Sequence, residues 1–400
     1  MKVLQINVVY RRGSTGKIVA CIKDGLIEKG IQAVVCYGRG DYISEEGVYK
    51  VSSEFEAKVH AVLSKASGVD FGHSYFSTLR LIKIIQKEKP DVVHLHCING
   101  HFVNAYKLLQ YLKKSNIQTV LTLHAEIMQT AGCEHALDCE KWRTECYDCH
   151  LIKGKISRFF RDDARHCYRL MKDAFDGFEK IDIIGVSEWL TSLAKESPVF
   201  QGANCRFNTI HNGIDTSVFH YCYDPKVFEK YNIPKGKNIV LYATPNFKSI
   251  NKGGEYVLQL AEMMPKYVFV IVGYNDGNRK LPENVIVIAH TNNQKELASL
   301  YSIANCYICT SKCESLPTVC LEAAACGCPI VAFDVGGISE TIPKDRGYTV
   351  NYGDVYDFQS KIEQVCNSDI ASKRVEIAND YTKMVKDYID IYTGTKTSES

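Results

Sequence analysis

The segment from Thr310 to Ile338 holds two carboxylates at positions where they could do chemistry. An apolar run ending at Cys309 predicts a strand, and Ser315-Leu316-Pro317 predicts a helix start with a hydroxyl N-cap and a tolerated proline. Glu314 then precedes the helix and Glu322 lies inside it. Free N–H groups at a helix N-terminus attract an anion, whereas carboxylates suit hydroxyls. A sugar nucleotide offers both groups, and a capping arrangement with a solvated Glu322 is the alternative.

Two glycine-bearing turns follow predicted strands. Lys248 and Lys252-Gly253 come after the strand predicted at 238–243, where ammonium and backbone N–H groups could surround a diphosphate. Gly13 and Gly16 follow the first predicted strand and would let a ligand approach the backbone. A simple tight turn is the alternative for the second case.

Two histidines come at the ends of predicted strands in the first half of the chain. His96 ends the strand predicted at 91–96, and His124 ends the one predicted at 119–124. Parallel strands bring their carboxyl ends to one edge of the sheet, so both side chains could line one crevice. A purely structural role for each histidine is the alternative.

Four cysteines lie close together after His124. Four thiolates would satisfy a tetrahedral zinc and leave no open position for catalysis, so the metal would be structural. Reduced cysteines packed under a loop are one alternative, and a redox pair of the last two is another that lacks a thioredoxin-like context. The four residues are Cys133, Cys139, Cys146 and Cys149.

A basic segment with interleaved aromatic residues follows the cysteines. Such a segment could rest on an anionic membrane surface, and a solvated helix face is the alternative. Its basic residues are Lys153, Lys155, Arg158, Arg161, Arg165 and Arg169.

Strands alternate with helices in both halves of the chain, which predicts an α/β protein with parallel sheets. The 400 residues exceed the size of one core, so two domains of roughly 150 to 200 residues are expected. We predict an N-terminal domain over 1–220 with a cysteine-rich insertion at about 131–150, and a second domain over 236–368. A C-terminal helix over 371–393 is predicted to pack back on the N-terminal domain.

Composition narrows the class of protein. Lys plus Arg (48) nearly balance Asp plus Glu (46), which argues against a general nucleic-acid binder. The N-terminus enters a strand-like segment without a signal-peptide pattern, and no apolar run is long enough to cross a bilayer. The 17 cysteines suit reduced thiols better than a disulfide framework. These features predict a cytoplasmic protein.

The chain resembles the retaining glycosyltransferases of family 4, which have the GT-B fold of two facing Rossmann-like domains and an interdomain cleft. The resemblance is most specific from Glu314 to Glu322, which matches the family's Glu-x7-Glu motif, and it spans nearly the whole chain. His94-Leu95-His96 and the cysteine segment further resemble a subgroup found in bacterial capsule and exopolysaccharide loci. Further matches are Gly13 to Gly16, His124, His211-Asn212-Gly213-Ile214-Asp215, Lys252-Gly253, Gly336-Gly337 and Glu340.

The resemblance implies a catalytic set of Glu314, His124 and Lys252. Glu314 would contact the donor sugar, Glu322 the ribose and Lys252 the diphosphate, with His124 near the reacting carbon. His96 and Asn99 are expected on the acceptor side. The donor-binding positions implied are Gly13, Gly16, Asn246, Lys248, Gly253, Ser315, Leu316, Pro317, Thr318 and Glu322.

Two positions depart from the family pattern. Asn246 stands where the family often has an arginine, so Lys248 would have to supply that charge, and Ala125 stands where an aspartate usually follows the histidine. The chain contains no Asp-x-Asp sequence, so no catalytic metal is expected.

The resemblance, together with these motifs, implies a retaining transfer of a hexose from a nucleotide diphosphate sugar, expected to be UDP-linked. The acceptor would be a glycan or lipid-linked glycan of a surface polysaccharide. A GT-B epimerase acting on the sugar nucleotide and a non-catalytic nucleotide-sugar or glycan-binding protein are the alternatives.

Overall fold

The computed structural model describes residues 1–149, 163–277, 279–291, 293–368 and 380–395. The chain divides into two compact units. The N-terminal unit consists of Met1–His211 together with Thr382–Ser400, and the C-terminal unit is Asn212–Tyr381. Each unit is a parallel sheet in which helices connect many of the successive strands, so the predicted α/β class with two Rossmann-like halves is confirmed.

The N-terminal unit contains a seven-stranded sheet in the order β3-β2-β1-β4-β5-β6-β7. Neighbouring strands are all parallel. The central strands are buried almost completely, as continuous apolar runs predict for strands covered on both faces. The strands are β1 (Lys2–Asn7), β2 (Gln32–Tyr37), β3 (Val48–Lys50), β4 (Val92–Leu95), β5 (Gln118–Leu123), β6 (Ile181–Gly185) and β7 (Cys205–Thr209).

The helices described in this unit connect those strands, and the last of them comes from the C-terminal end of the chain. They are α1 (Gly13–Glu28), α2 (Glu54–Ser67), α3 (Tyr75–Glu88), α4 (Ala105–Ser115), α5 (Ile127–Thr130), α6 (Ala164–Phe175), α7 (Glu188–Glu196) and, after the C-terminal unit, α13 (Tyr381–Tyr392).

The strand order of this sheet reverses between β1 and β4. From β1 the chain proceeds outward through β2 and β3, and it then returns to β4 on the other side. Ligands of open α/β sheets bind outside the carboxyl ends of the strands at such a switch point. The segments after Asn7 and after Leu95 therefore border the natural binding edge of the N-terminal unit.

The C-terminal unit repeats the design with a six-stranded sheet in the order β10-β9-β8-β11-β12-β13. Its switch point lies between β8 and β11, which pair in parallel at Val240 with Cys306 and at Leu241 with Tyr307. The strands are β8 (Ile239–Ala243), β9 (Val268–Val272), β10 (Val285–Ile288), β11 (Cys306–Cys309), β12 (Ile330–Phe333) and β13 (Gly347–Val350), and the helices are α8 (Lys226–Lys230), α9 (Gly254–Met263), α10 (Gln294–Ile303), α11 (Thr318–Ala325) and α12 (Val355–Cys366).

The C-terminal helix α13 is bonded to strands of the N-terminal unit. The hydroxyl of Tyr392 lies 2.6 Å from His94 Nδ1, and that of Tyr388 lies 2.9 Å from Thr122 Oγ1. Gln118 also donates to the Ile391 carbonyl at 3.2 Å. The first part of the predicted helix, 371–379, lies outside the described residues.

Candidate active site

A lysine and a glutamate meet at the switch point of the C-terminal unit. Lys252 follows β8 and Glu314 follows β11, and Lys252 Nζ lies 2.5 Å from Glu314 Oε1. Ser311 Oγ donates to the same carboxylate oxygen at 2.7 Å, which fixes its orientation. The structure thus places two of the predicted catalytic side chains in direct contact, at the edge where a ligand of this sheet would bind.

Close backbone packing holds Lys252 in this position. Gly253 adopts φ 67°, and a Cβ there would come within 1.9 Å of the Thr310 carbonyl oxygen. Thr310 Oγ1 donates to the Gly253 carbonyl at 2.9 Å, and Tyr242 donates to the Lys252 carbonyl at 2.7 Å. Only glycine fits at position 253, because both the left-handed backbone and the contact exclude a side chain.

The electrostatics of the pair keep the lysine charged. Burial alone would lower the pKa of Lys252, but the nearby Glu314 carboxylate raises it above the usual lysine value. An ammonium that stays charged at every physiological pH is suited to a diphosphate, which it would bind as a point charge.

Ser315 does not cap the following helix, so that prediction is wrong. Helix α11 begins at Thr318, and the preceding Pro317 provides no side-chain cap. The Ser315 hydroxyl is buried beside buried Leu316 and Pro317, and it has no hydrogen-bond partner among the residues that the structure describes. A buried hydroxyl without a partner is costly, so this oxygen is a candidate for bonding to a ligand near the free N–H groups of the first helical turn.

Glu322 has a hydrogen-bond partner outside the Lys252–Glu314 pair. It projects from α11, and Tyr301 donates to its Oε2 at 3.3 Å. Burial and then the Glu322 charge raise the pKa of Tyr301 well above its usual value, so the phenol stays protonated as a donor. Tyr301 was not predicted from the sequence, because its contact depends on the packing of α10 against α11.

Asn246 and Lys248 lie in the loop after β8. Asn246 Oδ1 accepts from Lys248 N at 3.2 Å and from Asn275 Nδ2 at 2.9 Å. The Lys248 side chain is exposed and its Nζ lies 3.3 Å from Asp276. The structure therefore brings Lys248 to Asp276 and leaves its predicted part in holding the donor as a prediction.

In the N-terminal unit, the predicted glycine turn is the first turn of α1, which begins at Gly13. Gly13 adopts φ 63°, and Gly16 is buried in a tight position, since a Cβ there would meet Val9 Cγ2 at 3.1 Å. Asn7 links the segment before this turn to the segment that follows β4: it donates to the Val9 carbonyl at 2.7 Å and accepts from Cys97 N at 3.1 Å.

His96 and His124 meet at the carboxyl ends of β4 and β5, as their positions predict. His96 Nδ1 lies 3.2 Å from His124 Nε2, and the two rings stack with centroids 5.5 Å apart. His96 is buried, whereas His124 is only half-buried. Removal from water lowers the pKa of His96 well below its usual value and that of His124 to about 4. Asn99 lies three positions beyond His96 and is half-buried.

The four cysteines are all partly buried. Two of them adjoin Thr130: its hydroxyl accepts from Cys133 N at 2.9 Å, and its carbonyl accepts from Cys146 Sγ at 3.6 Å. Cys139 N donates to the Ala136 carbonyl at 3.0 Å. A structural zinc here stays a prediction.

Most of the predicted membrane-binding segment, from 153 to 162, lies outside the described residues. Its last two arginines belong to α6, and both reach Glu145, at 3.3 Å from Arg165 and 2.7 Å from Arg169. Within the described ranges, no helix combines the length and apolar character needed to cross a bilayer.

Comparison with known proteins agrees with this arrangement. The protein-family model for glycosyl transferases group 1 matches residues 224–384, and the family model for glycosyltransferase family 4 matches residues 16–218. Two Rossmann-like units with these domains define a glycosyltransferase of the GT-B class. The chain belongs to glycosyltransferase family 4.

Curated relatives are distant. N-acetyl-alpha-D-glucosaminyl L-malate synthase of Bacillus anthracis is 24% identical over 285 residues, which cover 69% of this chain and 65% of that protein. The match thus spans slightly under two thirds of that relative. An uncharacterized 41.2 kDa protein in the cps region of Klebsiella pneumoniae is 23% identical over 331 residues, covering 78% of this chain and 82% of the relative.

Solved structures share the fold at low identity. Sucrose-phosphate synthase from Thermosynechococcus elongatus superposes with a TM-score of 0.67 at 17% identity, covering 98% of this chain and 97% of the other. Anabaena Alr3699/HepE in complex with UDP-glucose superposes with a TM-score of 0.61 at 14% identity, covering 98% of this chain and 100% of the other. WaaG, a glycosyltransferase involved in lipopolysaccharide biosynthesis, superposes with a TM-score of 0.63 at 14% identity, with the same coverage of both chains.

Proposed function

We propose that this glycosyltransferase moves a hexose from a UDP-linked donor to a hydroxyl of a glycan or lipid-linked glycan, with retention of the anomeric configuration. The observation that carries the donor part is the arrangement at the β8–β11 switch point. Lys252 and Glu314 are in contact there, and the buried Ser315 hydroxyl, just before α11, has no partner in the described part of the chain. Together they offer a cation, a hydroxyl acceptor and a free hydroxyl to one bound molecule.

The chemical step follows from these groups and from the family resemblance. The bond between the anomeric carbon and the departing diphosphate oxygen breaks, the acceptor oxygen bonds to the same face of that carbon, and the acceptor proton passes to the departing phosphate. Lys252 and the N–H groups of α11 would stabilise the charge developing on the diphosphate. Glu314 would orient the transferred sugar, and Glu322 would bind the ribose. No catalytic metal is invoked.

A role in surface polysaccharide synthesis is the pathway we propose. It is supported by the cps-region relative of Klebsiella pneumoniae and by the likeness to the subgroup described above. The UDP-linked donor is supported by the HepE complex with UDP-glucose, which has the same fold. Contact with the cytoplasmic face of a membrane through the basic 153–169 segment, and a structural zinc on the four cysteines, stay predictions.

The test is donor turnover by the purified full chain with UDP-, GDP- and ADP-hexoses and a panel of glycan acceptors. Acceptor-dependent release of UDP, with a product of unchanged anomeric configuration by NMR, would support the proposal. Donor conversion without acceptor would point instead to an epimerase, and tight donor binding without nucleotide release to a non-catalytic protein. A donor that binds only the folded state also raises the thermal midpoint, which gives a second measurement.

Undiminished turnover in excess EDTA would agree with the absence of a catalytic metal. A loss restored by Mg²⁺ or Mn²⁺ would contradict it. Stoichiometric zinc that is reduced in a Cys146→Ser and Cys149→Ser double variant would support the structural site separately from activity.

A further inference from the structure

Gln5, His96 and His124 form a hydrogen-bonded chain across β1 and the ends of β4 and β5. Gln5 Oε1 lies 3.2 Å from His96 Nε2, and His96 Nδ1 lies 3.2 Å from His124 Nε2. Gln5 and His96 are both essentially inaccessible to water. Gln5 is invisible as a functional residue in the sequence, because only the strand order β1-β4-β5 brings it to the histidines.

The direction of this chain is fixed at its first member. Gln5 Nε2 donates to the Val19 carbonyl at 3.2 Å, so the amide oxygen is the atom that faces His96. A carbonyl oxygen only accepts, and His96 Nε2 must therefore carry a proton. A neutral imidazole has one N–H, so His96 Nδ1 is an acceptor and His124 Nε2 is the donor to it.

The hydrogen-bonded chain from Gln5 through His96 ends at the ring of His124, whose remaining nitrogen is Nδ1. It has no hydrogen-bond partner within the described residues, and its ring is only half-buried. The neighbouring His94 does not belong to the chain although its ring lies 3.9 Å from that of His96, centroid to centroid. Its nitrogens bond instead to Tyr392 and Thr122, at 2.6 and 2.7 Å.

We propose that Gln5 and His96 are positioning residues that hold His124 in its Nε2–H tautomer, so that Nδ1 accepts a hydrogen bond from a hydroxyl of the bound sugar. The sugar as ligand rests on the function proposed above, whereas the tautomer does not. A His124 held in this way recognises an O–H donor and does not present a proton of its own to the substrate.

NMR of the full chain labelled with ¹⁵N-histidine tests the tautomer without any substrate. The His124 signals, identified by their loss in His124→Asn, should show a protonated Nε2 and an unprotonated Nδ1 at neutral pH. In Gln5→Leu the acceptor is gone, and the His124 signals should shift toward an average of both tautomers. Gln5→Glu restores an acceptor and should restore the wild-type pattern, which a merely structural role of the amide does not predict.

Thr122→Val is the matched control, because it removes a buried hydrogen bond of His94 with little change of shape and leaves the chain from Gln5 intact. It should leave the His124 tautomer as in the wild type. A protonated Nδ1 in wild-type His124, or an unchanged tautomer in folded Gln5→Leu, would overturn the proposal. If Gln5→Leu does not fold, the wild-type tautomer and Gln5→Glu still decide.

Donor turnover tests the role of Nδ1. An asparagine amide reaches about the position of Nδ1, and a glutamine amide about that of Nε2. His124→Asn should therefore keep a kcat/KM about tenfold higher than His124→Gln. Equal losses would overturn the acceptor role. A wild-type protein that turns over no sugar nucleotide would overturn the proposed function instead, and the tautomer measurement would stand apart from that result.

Discussion

The ammonium of Lys252 is the single group on which donor turnover should depend most. Lys252→Ala removes the cation beside Glu314 and should lower kcat/KM for the donor by about 100-fold or more, since charge on the departing diphosphate loses its stabilisation. The measurement is initial rates over a range of donor concentrations. Wild-type turnover at saturating donor would contradict this role.

Lys248→Ala is a suitable comparison, because Lys248 is exposed and paired with Asp276 rather than with Glu314. A loss as large as that of Lys252→Ala would mean that Lys248 supplies the charge missing at Asn246. An exposed ion pair contributes little, so a loss of kcat/KM of about threefold or less is expected for Lys248→Ala. That result would mean that Lys252 is the lysine that binds the diphosphate.

Ser315→Ala should separate stability from function. Within the described ranges the buried Ser315 hydroxyl has no partner, so its removal should raise the free energy of unfolding by up to about 1 kcal/mol while weakening donor binding about 3- to 10-fold. Urea denaturation and donor titration measure the two effects.

Ser311→Ala should behave in the opposite way in the stability measurement. Ser311 is also buried, but its hydroxyl donates to Glu314, so this variant should lose about 1 kcal/mol. A Ser315→Ala protein that is as destabilised as Ser311→Ala would show that the Ser315 hydroxyl has a partner in solution.

At the same scale, residue types at strand ends were enough to predict the meeting of His96 with His124 and the placement of Lys252 and Glu314 at one sheet edge. The direct contact of Lys252 with Glu314 needed the side-chain geometry. The contacts of Gln5 could not be predicted at all, because it lies inside a strand and its partners are distant in sequence. The partners of a buried glutamine in a strand can be identified only when the order of the strands in the sheet is known.

At the scale of the elements, the turn from β8 into α9 depends on the backbone at Gly253. Gly253→Ala would place a Cβ 1.9 Å from the Thr310 carbonyl and would strain a left-handed backbone, so the turn and the Thr310 strand end must separate. We expect a loss of about 2 kcal/mol or more in the free energy of unfolding and a displaced Lys252 with poor donor turnover.

Gly236→Ala is the matched control for that substitution. Gly236 has φ 80°, but no atom lies within 4 Å of a Cβ there, so only the backbone cost of about 1 kcal/mol remains. Equal destabilisation of the two variants would show that the close approach of Gly253, after β8, to Thr310, after β11, does not matter for stability.

Elements with a clean apolar pattern were predictable and the others were not. The strands next to the switch points are continuous buried runs, and their predicted and observed bounds agree to within one or two residues. Helix α2 was missed because Phe55 and Val62 are 75% and 64% exposed, which hides its apolar face. Strand β3 has only three residues. Helix α12 carries a helical apolar pattern in Val355, Phe358, Ile362 and Val365, so its sequence does encode the helix.

At the scale of the whole molecule, the alternation of strands and helices was enough to predict two Rossmann-like units, because a parallel sheet needs a crossover after every strand. The direct bonds from α13 to His94 and Thr122 could not be predicted in the same way. They join residues almost 300 positions apart, 298 for His94 with Tyr392, and no local pattern encodes such a pairing.

From the distribution of histidines we expect the N-terminal unit to be more sensitive to acid than the C-terminal unit. The histidines with a lowered pKa, His60, His73, His94, His96, His101 and His124, all belong to it, and burial is the first cause in each. The pKa is lowered to about 3 for His60 and to about 4 for His124. In the unfolded chain each histidine has a pKa near 6.5, so at a pH between that value and the lower folded pKa it binds a proton that the folded histidine does not bind.

Stability from these groups is therefore present above pH 6.5 and is lost as the pH falls toward the folded values. Between pH 7 and pH 5 we expect His60 and His124 each to cost about 1 to 2 kcal/mol. Carboxylates such as Glu45, whose pKa is lowered to about 2, lose their contribution only below about pH 4.5, so the histidines dominate this window. Hydrogen exchange of the full chain at pH 7 and pH 5, corrected for intrinsic rates, should show protection falling more in β1, β4 and β5 than in β8 and β11. Equal loss of protection in both sheets would mean that these histidines do not make the N-terminal unit more sensitive to acid than the C-terminal unit.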